Sequence, residues 1–114
     1  MMKRFGQIAQ LKPEEIAEYK RLHVQVWPDV LKTITACNIR NYTIFLKEDE
    51  LFAYFEYIGD DYEEDMKKMA DDPITREWWK RTKPCFLHHD RQTYYTDMDE
   101  IFHHDQYEEK GETK

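Results

Sequence analysis

Tyr19 and His23 stand at i and i+4, one helical turn apart, just ahead of Trp27-Pro28. An imidazole has an unperturbed pKa of about 6.5, so at neutral pH it gives or takes a proton with little penalty. A phenol one turn away can donate to, accept from or orient the same ligand. Asp29, two residues beyond Trp27, is a weaker acid/base candidate. The group suits positioned proton transfer on a small molecule. It equally suits a core histidine whose polar tips are satisfied by carbonyls, and spacing alone does not separate the two. Trp78-Trp79 is the second feature. Helical neighbours point about 100° apart, so both indoles cannot fill the centre of one core. One should pack and the other face a cleft, where an indole stacks on the C–H face of a sugar or on a partner subunit. Tyr42 in a strand can add a phenol to the same space, or simply pack with a wet hydroxyl.

A helix opening at Lys12-Pro13-Glu14-Glu15 must carry the first pair, with Pro in the first turn and acids at the positive end of the dipole. Ile16, Tyr19, His23, Val26, Trp27, Val30, Leu31 and Ile34 fall on one stripe at helical period and are expected to face the core. Pro28 should kink or restart this helix, which then runs to about Cys37, with Asn38 as its stop. Lys3 to Leu11 reads as a strand before it. Ile39 to Lys47 and Leu51 to Ile58 form a hairpin about an acidic turn, with Tyr42, Ile44 and Leu46 on one side. Gly59-Asp60-Asp61 should punctuate and cap a second helix from about Tyr62 to Ala70, and Asp72-Pro73 should open a third segment carrying the tryptophans and ending before Pro84. A last strand is expected near Tyr95 to His103. The order β-α-β-β-α-β, its second helical unit split, is the ferredoxin-like arrangement of the α+β class, an antiparallel sheet with helices on one face. Strand residues are apolar or aromatic on both faces, so a second subunit is expected to cover the bare one.

The chain has 114 residues, 40% hydrophobic and 36% charged with only 3 glycines, which fits one ordered domain. Residues 1–104 are assigned to that domain, and the charged stretch 105–114 to a disordered tail. A net charge of −7 disfavours phosphate backbones and anionic membranes, so neither nucleic acid nor a membrane is expected as a partner. No apolar run follows Lys3-Arg4, so no signal peptide is expected, and Cys37 and Cys85 suggest no disulfide framework. A reducing cytoplasm is the expected location. His88-His89 and His103-His104 invite a metal reading, but adjacent residues of a strand point to opposite faces and zinc needs about four convergent ligands. No metal and no cofactor is expected. A glycine-rich phosphate loop and a Gly-x-Ser-x-Gly elbow are both missing.

The run Glu18-Tyr19-x-x-x-His23-x-x-x-Trp27-Pro28 resembles the signature of the L-rhamnose mutarotase family. The likeness continues through Asn41-Tyr42-x-Ile44-x-Leu46, Leu51-Phe52-Ala53, Trp78-Trp79-Lys80 and Glu100-Ile101-Phe102, in order over residues 3–102. The resemblance implies a homodimer of ferredoxin-like subunits, a dimeric α/β barrel-like assembly, that interconverts the α and β anomers of a deoxy-hexose without a cofactor. It implies His23 as the catalytic proton donor, and Tyr19, Tyr42, Trp78 and Trp79 as the residues that bind the sugar. Lys83 to Asp97 departs from the family pattern, which bears on which sugar is taken. Two other readings fit the same topology: a cofactor-free monooxygenase of the dimeric α+β barrel type, which would consume oxygen, and a non-catalytic sugar-binding module.

Overall fold

Period-two alternation divides the strands into a face for the helices and a face without them. The computed structural model describes residues 2–87 and 95–104. Its elements are β1 (Lys3–Gln10), α1 (Ile16–Val24), α2 (Pro28–Ala36), β2 (Ile39–Lys47), β3 (Glu50–Tyr57), α3 (Tyr62–Asp71), α4 (Pro73–Thr82) and β4 (Thr96–Met98). Short 3-10 turns at Pro13–Glu15 and Lys83–Cys85 precede α1 and follow α4. The sheet is antiparallel throughout, in the order β2-β3-β1-β4. This is the ferredoxin-like topology expected from the sequence. Residues 105–114, expected to be a disordered tail, and the pair His88-His89 lie outside the described residues.

Register places Phe5 opposite Phe55, Gln7 opposite Ala53 and Ala9 opposite Leu51, all on the helix side. Ala9, Leu11 and Leu51 form one buried cluster with Tyr19, Cys85 and Phe86. Ile39, Phe55 and Tyr57 form another, with Ile34, Met66 and Met69 packed against it. Ile8 and Phe52 pair on the opposite face, where Phe45 pairs with Phe52 and remains 63% exposed.

A bulge interrupts the β2–β3 ladder. Arg40 pairs with Glu56 and Thr43 with Tyr54, so Asn41 and Tyr42 together oppose the single residue Phe55. Asn41 takes a left-handed φ of 53°, a conformation that Asn tolerates better than most side chains. The extra residue resets the alternation, so that Ile39 before it and Ile44 after it share the helix face. Tyr42 is aimed to that face too, its ring edge against Phe55 at 5.7 Å.

The expected punctuation holds at several points. Asn38 ends the first helical unit at φ 69°. Asp61 accepts from the Glu64 amide at 3.1 Å, and Asp72 from the Thr75 amide at 2.8 Å with Pro73 starting α4. Asp65, buried in α3, accepts from the Tyr57 hydroxyl at 2.6 Å and the Asn38 amide at 2.9 Å, tying α3 to β3 and the end of α2.

The helix restarts at Pro28, one of the two outcomes expected there: α1 ends at Val24, Trp27 is extended, and α2 begins at Pro28. Proline disfavours helical backbone in the residue before it but suits the first helical position, so the break falls upstream. The single stripe from Ile16 to Ile34 therefore loses its phase. Leu22, left off that stripe, is buried, whereas Leu31, placed on it, is 50% exposed. The last strand is Thr96–Met98 only, pairing with Ile8, Gln7 and Gly6, rather than Tyr95 to His103. Beyond it the acidic Asp99-Glu100 pair stays exposed, and Glu100 meets Arg4 at 2.8 Å through its side chain instead of a ladder.

Candidate active site

His23 lies in the last turn of α1, where its Nδ1 sits 2.8 Å from the carbonyl oxygen of Tyr19. A carbonyl only accepts, so Nδ1 carries the hydrogen and Nε2 is the nitrogen left to titrate. Three rings fix the imidazole plane. Tyr19 stacks on it at 4.2 Å, Trp78 meets it edge-on at 5.4 Å, and Trp27 in turn meets Trp78 at 5.2 Å. The break between α1 and α2 makes this possible, because Trp27 leaves the α1 spiral and caps α2 in an extended conformation. Burial holds the His23 pKa below the ordinary imidazole value of 6.5, while its bond to the Tyr19 carbonyl works the other way. At neutral pH the imidazole is therefore uncharged.

A cavity of about 980 Å³ opens between the sheet and the helices. It is lined by Tyr19, His23, Tyr42, Trp78 and Trp79, so five of the six candidates from the sequence meet in one place. Val26, Val30, Ile34 and Ile44 contribute an apolar wall, and Gln7, Arg40 and Asn41 polar edges. Trp78 is 6% exposed and packs with Leu22 and Val30. Trp79 is half-buried, with the Lys83 ammonium 4.7 Å from its ring centroid. The expected division between a packed and a presented indole is found. Asp29 is exposed in the first turn of α2 and does not line the cavity, which removes it as a candidate.

Tyr95 was missed. It stands immediately before β4, lines the same cavity and brings its hydroxyl to 3.4 Å from that of Tyr19. Phe86 braces both rings, at 5.7 Å from Tyr19 and 5.6 Å from Tyr95. Burial pushes the phenols of Tyr19, Tyr42 and Tyr95 above their ordinary value, so all three stay neutral. No sequence period points to Tyr95, since the stretch before it carries no regular pattern. Only the partner strand β1 brings it over the helix.

Among the described residues, no group of three His, Cys, Asp or Glu side chains is placed to hold a metal ion. His103 and His104 are both exposed. The site is thus one uncharged imidazole with a fixed tautomer, neutral phenols and an indole face, set in a largely apolar cavity. It can relay a proton and hydrogen-bond an uncharged polar molecule that also has apolar faces.

The comparisons with known proteins agree with that chemistry. Residues 4–104 match the family model described as L-rhamnose mutarotase. The L-rhamnose mutarotase of Oceanobacillus iheyensis is 37% identical, over 91% of this chain and 100% of the relative. That of Bacillus subtilis is 36% identical over the same shares. Among solved structures, the L-rhamnose mutarotase of Formosa agariphila aligns with a TM-score of 0.72 at 20% identity, covering 90% of this chain and 99% of that one, and so supports the fold. With the match spanning β1 to the end of the described residues, and the helix, bulge and tryptophan pair all inside it, the chain belongs to the L-rhamnose mutarotase family.

Proposed function

We propose that this chain interconverts the α and β anomers of L-rhamnose, with His23 moving the protons and Tyr19, Tyr42, Trp78 and Trp79 holding the sugar. The observation that carries the reading is the neutral, tautomer-fixed His23 at the wall of a cavity built from the other four. Nε2 takes the proton of the anomeric hydroxyl, the bond from the anomeric carbon to the ring oxygen breaks, and the aldehyde forms. The imidazolium then gives that proton to the ring oxygen. Both oxygens are attached to the same carbon, so one nitrogen can serve each in turn. Rotation about the adjacent carbon–carbon bond presents the other carbonyl face, and closure runs the transfers backwards. The first role expected of His23, donor to the ring oxygen, becomes the second half of one relay.

An apolar wall of Val30, Ile34 and Ile44 suits the methyl group of a deoxy-hexose, and the Trp79 face suits its C–H surface. Polarimetry on a fresh solution of one pure anomer tests the reading: catalytic amounts of the protein should speed the approach to equilibrium. An unchanged rate, or oxygen uptake with an aromatic substrate, would contradict it.

The working unit in this proposal is a homodimer joined through the bare face of the sheet. Phe45, Phe52 and Ile8 lie in one cross-strand row there, next to Met98. Such a row on an antiparallel sheet is unlike the polar alternation of a solvated face. Ile101 and Phe102, 93% and 81% exposed, are further apolar side chains left open beyond β4. A reducing cytoplasm completes the proposal, supported by Cys37 and Cys85, both buried as free thiols. No helix among the described residues is long and apolar enough to cross a membrane.

A further inference from the structure

Tyr95 lies outside the motifs on which the family resemblance rests, yet it lines the same cavity as the residues inside them. Its ring is held edge-on by Phe86, and its hydroxyl stands 3.4 Å from that of Tyr19. Tyr19 is itself clamped between His23 at 4.2 Å and Phe86 at 5.7 Å. Two side chains from opposite ends of the chain thus bring their phenolic oxygens together at one wall of the cavity, with no charged group among the described residues bonded to either.

A phenol has one hydrogen to donate and two lone pairs. When two phenols bond to each other, one hydrogen is used between them. The pair still offers one hydrogen outward and lone pairs on both oxygens. An acceptor and a donor fixed side by side match two neighbouring hydroxyls of a sugar ring, each of which can donate or accept. The high pKa of both phenols, caused by burial, keeps both hydrogens in place across the working range.

We propose that Tyr95 is a substrate-binding and positioning residue, whose hydroxyl fixes that of Tyr19 and with it takes one vicinal diol of the sugar. This rests on the mutarotase reading and adds a specificity element that this chain carries outside the family motifs. Tyr95→Phe keeps the ring against Phe86 and removes only the oxygen. Anomeric exchange is measured by saturation transfer with L-rhamnose and with the mono-deoxy L-rhamnoses that lack the hydroxyl at carbon 2, 3 or 4. In the variant, KM for L-rhamnose should rise about fivefold, the worth of one hydrogen bond, with kcat within about twofold and the melting temperature unchanged. The penalty should vanish for the deoxy-sugar that lacks the contacted hydroxyl. It should also vanish in a Tyr19→Phe background, because the two oxygens act as one unit. An unchanged KM, or the same penalty for every deoxy-sugar, would overturn the assignment to Tyr95 while an active wild type left the enzyme reading standing. An inactive wild type would overturn both.

Discussion

The Nδ1 atom of His23 lies 2.8 Å from the carbonyl oxygen of Tyr19, one turn back along α1. The helix itself therefore chooses the tautomer, and the nitrogen left for chemistry starts as a base. Burial adds to this by holding the pKa under 6.5. The sign follows directly. Below the His23 pKa the imidazolium has no lone pair to accept the anomeric proton, so kcat/KM should fall as pH drops through that value. It should level off once the pH is above that value. A pH series of anomer exchange checks this; a rate that climbs below pH 6 would show that the charged form initiates the reaction.

The two tryptophans should separate by readout. Trp78 is 6% exposed and braces His23, so Trp78→Ala should cost about 3–5 kcal/mol of stability and lower kcat together. Trp79 is half-buried at the cavity wall, so Trp79→Ala should leave the melting temperature nearly unchanged and raise KM. Thermal unfolding beside kinetics on both variants decides it. Equal effects on stability would remove the distinction.

Asn41, at φ 53°, is the hinge of the bulge that aims Tyr42 at the cavity. Asn41→Val puts a β-branched residue in a left-handed conformation, which should cost about 1–2 kcal/mol and raise KM by displacing the Tyr42 phenol. Asn41→Gly accepts the same backbone and should keep KM near the wild-type value. Parallel KM measurements on the two variants test whether the bulge or the amide matters.

Phe45 sits at the β2 end of the apolar row on the bare face, paired with Phe52 and 63% exposed. Phe45→Glu puts a charge into that row and should shift the sedimentation-equilibrium mass from twice the 14.1 kDa chain to once it. A wild-type protein that sediments as a monomer at micromolar concentration would contradict the dimer.

Much of this site was legible in the chain because local rules carry it. The i,i+4 spacing of Tyr19 and His23 put both on one helix face, Asp72-Pro73 announced the start of α4, and Asn38 the end of α2. Parity in β2 placed Tyr42 with Ile44 and Leu46. What parity could not show is that Ile39 joins them only through the bulge. The sequence leaves open whether Pro28 kinks the helix or restarts it, and the restart after a break at Val24 takes Leu31 off the buried stripe. Tyr95 was out of reach for a different reason. Its partner Tyr19 lies 76 residues away, and only the pairing of β4 with β1 joins them.

The most direct test irradiates one anomeric proton of equilibrated L-rhamnose and measures saturation transfer to the other, with wild type and with His23→Ala at neutral pH. Wild type should speed the exchange, and the variant should lose ~10²–10⁴-fold of that enhancement while still binding the sugar. Equal exchange with and without wild-type protein, or full activity in His23→Ala, would contradict the role given to His23.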